Sequence, residues 1–135
     1  MPSFQEITDN PHILEHANWT LLELLLAYDA SNDKAQKLLK AAKQFAEWIQ
    51  SEEPNDIHLI NLLQTIKRER ELSKGEKRDL FIIIENKEQL EPVLVAAHLL
   101  LGNETVAEMH FEHLDEEEKS NFRTWPIFRF WEAGV

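Results

Sequence analysis

Lys34-Ala35-Gln36-Lys37-Leu38-Leu39-Lys40-Ala41-Ala42-Lys43-Gln44-Phe45-Ala46-Glu47-Trp48-Ile49 is the stretch on which the fold turns. At helical spacing, Ala35, Leu38, Leu39, Ala42, Phe45, Ala46 and Ile49 fall within one arc of about 120°. Lys34, Lys37, Lys40 and Lys43 occupy the opposite half. This is an amphipathic helix with one face for a core, and Ser31 or Asn32 is its expected cap. Glu52-Glu53-Pro54-Asn55 breaks it.

Helical signals continue in both directions. Upstream, Asn10-Pro11 is a cap followed by proline, and Pro11–Ala17 is expected to form one or two turns. Thr20-Leu21-Leu22-Glu23 has the spacing of a capping box, which makes Leu21–Tyr28 the first buried helix, apolar on most faces. Downstream, Asp56 opens a helix carrying Ile57, Ile60, Leu63 and Ile66. Ser73-Lys74-Gly75-Glu76 is a second capping-box spacing and leads into Leu80, Phe81, Ile83 and Ile84. Phe81–Ile84 alone also suits a strand, but its flanks favour helix. Pro92 stands near the start of a further helix with Leu94, Ala97, His98 and Leu101 on one stripe, and Gly102 suits its end. Thr105–Leu114 is the return helix, Asp115 caps a short helix through Phe122, Trp125-Pro126 bends, and Ile127–Trp131 is a compact aromatic end. No strand alternation and no Gly/Ser- or Pro-rich linker interrupts the chain. The expected fold is all-α: one domain over residues 1–135, with six to seven short helices in stacked hairpins or an orthogonal bundle.

Composition excludes whole classes of chemistry. The 135 residues contain no cysteine, so disulfides, thiolate nucleophiles, cysteine zinc fingers and iron–sulfur clusters are out. The three glycines, Gly75, Gly102 and Gly134, lie too far apart for a phosphate-cradling loop or a dinucleotide turn. A net charge of −11 opposes nucleic acid as the main ligand and serves either solubility or a basic partner. The charge is segregated. Residues 1–33 carry six acids and no base, while residues 67–78 hold six bases against three acids. The N-terminus lacks the pattern of a signal peptide and no apolar run reaches the length of a membrane span, so a cytoplasmic protein without a membrane partner is expected.

Gly102-x4-Ala107-x3-Phe111-x2-Leu114, preceded by Leu94 and His98, resembles the core pattern of a tetratricopeptide repeat. Trp19-x2-Leu22-x3-Leu26-x3-Ala30-x4-Ala35-x3-Leu39-x2-Ala42 has a similar frame, with Ala30 standing 72 residues before Gly102, two periods of about 36. Glu23 and Val95 depart from the small residue usual in that family, and the closing proline is missing from both copies. The resemblance implies stacked helical hairpins and a protein- or peptide-binding role without catalysis.

Several motifs bear on chemistry. His12-Ile13-Leu14-Glu15-His16 is a literal H-x-x-E-H, in which two histidines a helical turn apart bind zinc and the glutamate activates water. Two solvated histidines near a terminus are the plain alternative. His110 and His113 lie three residues apart with Glu108, Glu112 and Asp115 nearby, and His98 joins them if the Gly102 turn folds the two helices together. A metal site of three histidines, or of two histidines and a carboxylate, is then feasible, although packing alone explains His98. Asp29-x-Ser31-x-Asp33 resembles the start of a calcium loop, but Lys34 and Lys40 stand where glycine and the bidentate acid are needed, so it is rejected.

Lys67, Arg68 and Arg70 head a basic strip suited to an acidic surface; the plain reading is a solvated helix end paired with Glu69, Glu71 and Glu76 and complementing the helix dipole. Five of the twelve aromatics fall between Phe122 and Trp131. They either cap the helical stack or present Trp125, Phe128, Arg129 and Trp131 as a binding anchor. The functional expectation is a non-enzymatic protein–protein interaction module of helical-repeat type, with no cofactor. The alternatives are an acidic antitoxin- or immunity-type inhibitor of a basic protein and, third, a small zinc hydrolase built on the H-x-x-E-H. An exposed aromatic end also admits a homodimer.

Overall fold

A computed structural model describes residues 11–31 and 35–132, with side chains omitted at 11–13 and 130. Eight α-helices follow one another among the described residues, and no strand occurs there. They are α1 (Pro11–Ala30), α2 (Gln36–Glu52), α3 (Asp56–Glu69), α4 (Lys74–Glu85), α5 (Glu91–Leu101), α6 (Glu104–Glu112), α7 (Glu116–Phe122) and α8 (Pro126–Glu132). The all-α expectation holds, with one helix more than the upper count because the aromatic end is itself helical.

The helix borders follow from local chemistry. The Asn55 side chain accepts from the His58 backbone N–H at 2.8 Å and starts α3. Ser73 with Glu76, and Asp115 with Glu118, form complete capping boxes at α4 and α7. At the α1–α2 turn Ser31 donates its hydroxyl to the Tyr28 carbonyl (2.7 Å) and accepts from the Ala35 N–H (3.2 Å), but it is not the expected cap: Ala35 holds the cap position of α2, without a side-chain hydrogen bond, and Asn32 lies outside the described residues. The expected split of the first helix does not occur. Thr20 donates its hydroxyl to the His16 carbonyl one turn back (3.1 Å) instead of capping a new start. With no glycine or proline after Pro11, α1 runs unbroken for 20 residues.

α5 is the central helix. Val93, Val95, Ala96, Ala97, Leu99 and Leu100 are all buried, and α3, α4, α6 and α8 pack around it. A helix apolar on every side requires neighbours on every side. Gly102 ends it at φ 82°, the left-handed region that closes helices, and its N–H bonds back to the Leu99 carbonyl. The chain reverses there, and fully buried Ala97 and Ala107 lie in the α5–α6 hairpin.

Two apolar clusters make up the interior. One joins Ala17, Leu21, Leu25 and Tyr28 of α1 to Leu39, Ala42, Phe45, Ala46 and Ile49 of α2. The other runs from Ile60 of α3 to Ile127 of α8. Leu62 packs against both. Along α3 a polar seam accompanies this junction: Asn61, Gln64 and Thr65 are buried, and Gln64 donates to Asn61 Oδ1 at 2.9 Å.

The seam ends at Arg68. Its side chain is 1% exposed and it grips Asp29 of α1 with two hydrogen bonds, Nε to Oδ1 at 2.8 Å and Nη2 to Oδ2 at 2.7 Å. Nη1 donates to the Gln64 carbonyl at 2.9 Å, and Nη2 reaches the Pro126 carbonyl at 3.3 Å. One guanidinium therefore ties α1, α3 and α8 together. No buried side-chain polar atom is left without a partner among the described residues.

Two stability measurements test this account. Arg68→Ala strips Asp29 and Pro126 of this donor and is expected to destabilise the protein by about 3 kcal/mol in urea unfolding; Arg68→Lys restores little of it, because an ammonium lacks the planar fork. Gly102→Ala meets no neighbouring atom but retains a positive φ, so a loss of about 1 kcal/mol from backbone strain alone is expected in the same measurement.

Candidate functional site

α1 is apolar on most sides, yet among its described side chains only Ala17, Leu21, Leu25 and Tyr28 are buried. Trp19 is 61% exposed and Leu26 36% exposed. Both lie on the opposite side of the helix, with half-buried Leu22 between them and exposed Glu15 and Glu23 at their flanks. Leu22 leads into a cleft of about 120 Å³ lined by Asn18, Leu22, Ile57, Ile60, Asn61, Val93, Trp125 and Pro126. Ile57 at its rim is 42% exposed. Ligand pockets for small molecules span ~300–1,000 Å³. This cleft has about the volume of one apolar side chain, well below that range. A larger cleft of about 450 Å³ lies beside α2, but Gln36, Lys40, Lys43, Gln44, Glu47 and Glu69 line it with Leu39 as its one apolar residue. Lys43 already pairs with Glu69 there at 3.4 Å.

Of the basic strip, Lys67 and Arg68 are drawn into the protein, while Arg70, Lys74, Lys77 and Arg78 are exposed. Arg68 is buried, as described. Lys67 donates to the Leu100 carbonyl at 2.8 Å and so caps the carboxyl end of α5, not that of its own helix. Arg70 follows α3 and makes a bidentate pair with Glu76 at 2.8 and 3.0 Å. Those hydrogen bonds, aided by the Ser73 N–H and hydroxyl, hold the Glu76 carboxyl down to about 2 from an ordinary 4.5.

The C-terminal aromatics pack largely against one another. Trp125 lies 4.9 Å from Phe122, ring centre to ring centre; Phe128 stacks on Phe111 at 5.9 Å; Trp131 meets Phe111 edge-on at 6.2 Å. Trp125, Phe128 and Trp131 are each half-buried, and Arg129 is exposed. Trp125 alone of these also lines the small cleft beside α1. The cation over an aromatic face in this cluster is Arg123, 5.6 Å from the Phe111 ring, joined by Lys119 at 5.8 Å.

The Gly102 turn does bring the histidines together. His98 stacks on His110 at 5.4 Å with the rings 13° from parallel, and His113 approaches His110 edge-on at 6.2 Å. Burial, and then the neighbouring His110, hold the His98 imidazole below its ordinary value. The carboxylate in contact is Glu91, whose Oε2 lies 2.9 Å from His110 Nδ1. It is none of the three acids near His110 in sequence. Glu112 faces Lys119 at 3.4 Å, and Asp115 caps α7. The signal for Glu91 was its place seven residues before His98, two turns along the same face of α5. Of the H-x-x-E-H motif, Glu15 and His16 are exposed on α1; the His12 side chain lies outside the described residues.

No described helix is long and apolar enough to cross a membrane. The pairing of Glu76 fixes a pH dependence. Its carboxyl is depressed in the folded state, so its contribution is complete above 4.5 and disappears as pH falls from there to about 2. Acid titration of unfolding stability is expected to show a shallower decline through this window for Glu76→Gln than for the wild type. No known family model, curated protein or solved structure matches this chain.

Proposed function

We propose that this chain is a non-enzymatic protein-binding module made of helical hairpins, and that the groove beside α1 receives an amphipathic helix with a basic polar face. The observation that carries the reading is the row of Trp19, Leu22 and Leu26 on a helix whose other side is already covered. A helix apolar on most sides belongs in an interior, yet α1, which packs on α2 and α8 and is bonded to α3 through Asp29, leaves the Trp19–Leu26 side bare. Tryptophan is the residue type most enriched where binding energy concentrates, and the cleft next to Leu22 gives a partner side chain somewhere to insert.

Charge selects the partner. Glu15 and Glu23 flank the apolar row, and the first 33 residues contain no base. Lysines or arginines on the rim of a bound helix complement that field and accelerate encounter. The tetratricopeptide-like frame agrees with such a role, with α1–α2 and α5–α6 as its two hairpins. Trp19 and Leu26, which belong to the frame of the first copy, depart from it by being exposed rather than packed into the hairpin, and this leaves them available to a partner. An acidic inhibitor of a basic toxin or nuclease is a narrower version of the same reading, favoured by the net charge of −11.

Fluorescence anisotropy with a labelled synthetic leucine–lysine amphipathic helix tests it. Binding is expected for the wild type, with Trp19→Ser and Leu26→Ser each weakening it at least about tenfold and added salt slowing association. Equal binding by both variants removes the groove from the account. A wild type that self-associates in sedimentation, and is made monomeric by Trp19→Ser, reassigns the groove to a second copy of the chain.

A further inference from the structure

We infer that Glu91, His110 and His113 form a binding site for a divalent transition-metal ion of the zinc class, and that the ion fastens the open end of the α5–α6 hairpin. This site is separate from the α1 groove. Glu91 is the first residue of α5, His110 lies in the last turn of α6, and His113 is the residue that ends α6. Because Gly102 reverses the chain between the two helices, the start of one meets the end of the other. One ligand atom from each of the three side chains can be chosen so that all lie within 4.8 Å of one another.

The donor set decides the class of ion. Two imidazole nitrogens and one carboxylate oxygen suit zinc and its neighbours, whereas calcium and magnesium call for oxygen donors throughout. Zinc–ligand bonds of about 2.0–2.1 Å place tetrahedral donors about 3.3 Å apart. Glu91 and His110 are already closer than that, at 2.9 Å, so the ion replaces their direct hydrogen bond. The remaining adjustment falls to His113, which is exposed and has rotamer freedom. His110 is held in place from behind. Its side chain is 19% exposed, and the His98 ring lies flat against it. A ligand fixed by its surroundings loses less entropy on binding. Three protein donors leave one position for water, and solvent reaches it through Glu91 and His113.

The effect of the ion is mechanical. It ties the first residue of α5 to the residue that ends α6, directly between two elements that share the central packing. Metal binding to the folded chain alone appears as added stability.

The test is titration of untagged, chelator-stripped protein with zinc chloride in a non-coordinating buffer, followed by calorimetry and by thermal unfolding. The expected result is one ion per chain and a raised melting temperature. His113→Ala, an exposed change that leaves the fold intact, abolishes both effects, and Glu91→Gln weakens binding at least about tenfold. His16→Ala changes neither. Cobalt substitution is expected to give the visible absorption of a tetrahedral site, lost in His113→Ala. Absence of zinc binding by the wild type overturns the inference. So does binding that survives His113→Ala, or binding that His16→Ala removes, which assigns the ion to the N-terminal histidines.

Discussion

A single guanidinium sets the relative positions of three helices. Arg68 reaches Asp29, Gln64 and Pro126 from a site with almost no solvent contact. Taking an arginine out of water is unfavourable unless its donors find acceptors in fixed positions. Apolar contacts between helices tolerate sliding, but a planar fork facing a carboxylate does not. The first helix and the last are thereby set against the same turn of α3. The groove beside α1 exists because this register holds Trp125 and Pro126 opposite Leu22 and Ile57.

The apolar interior supplies cohesion on either side of that point. α5 is enclosed by four helices and anchors the larger cluster, while α1 and α2 form the smaller. The lysine that caps α5 comes from α3, one residue before Arg68. The last turn of α3 thus serves two neighbours at once, Lys67 the carboxyl end of α5 and Arg68 the flank of α1. Two charged residues that a surface reading would assign to a partner, Lys67 and Arg68, thus hold the helices to one another.

How much of this was legible in the sequence depended on the kind of signal. Local and periodic features read directly. The α2 stripe, the capping box at Ser73, the cap at Asp115 and the Gly102 stop all stand where spacing put them. Features that depend on contacts far apart in the chain did not. Asp29 and Arg68 are 39 residues apart, and nothing in either neighbourhood marks them as partners. Thr20 carried a valid capping signal that helix continuity overrode. The approach of His98 to His110 follows from Gly102 as a turn, whereas Glu91 stands 19 residues before His110 and only the hairpin brings the two together. Exposure on α1 was illegible for a related reason. An all-round apolar helix looks buried, and only the positions of its neighbours tell which side is left bare.

The polar seam along α3 has a mechanical implication. Water can substitute for amides and a guanidinium more readily than it can wet a packed layer of leucines. The line through Asn61 and Gln64 is therefore where water enters first once Arg68 lets go of Asp29, and opening along it would release the α1–α2 hairpin as a unit while the layers around α5 remain closed. Amide exchange would then occur in two tiers, and the hairpin that carries Trp19 would belong to the faster one.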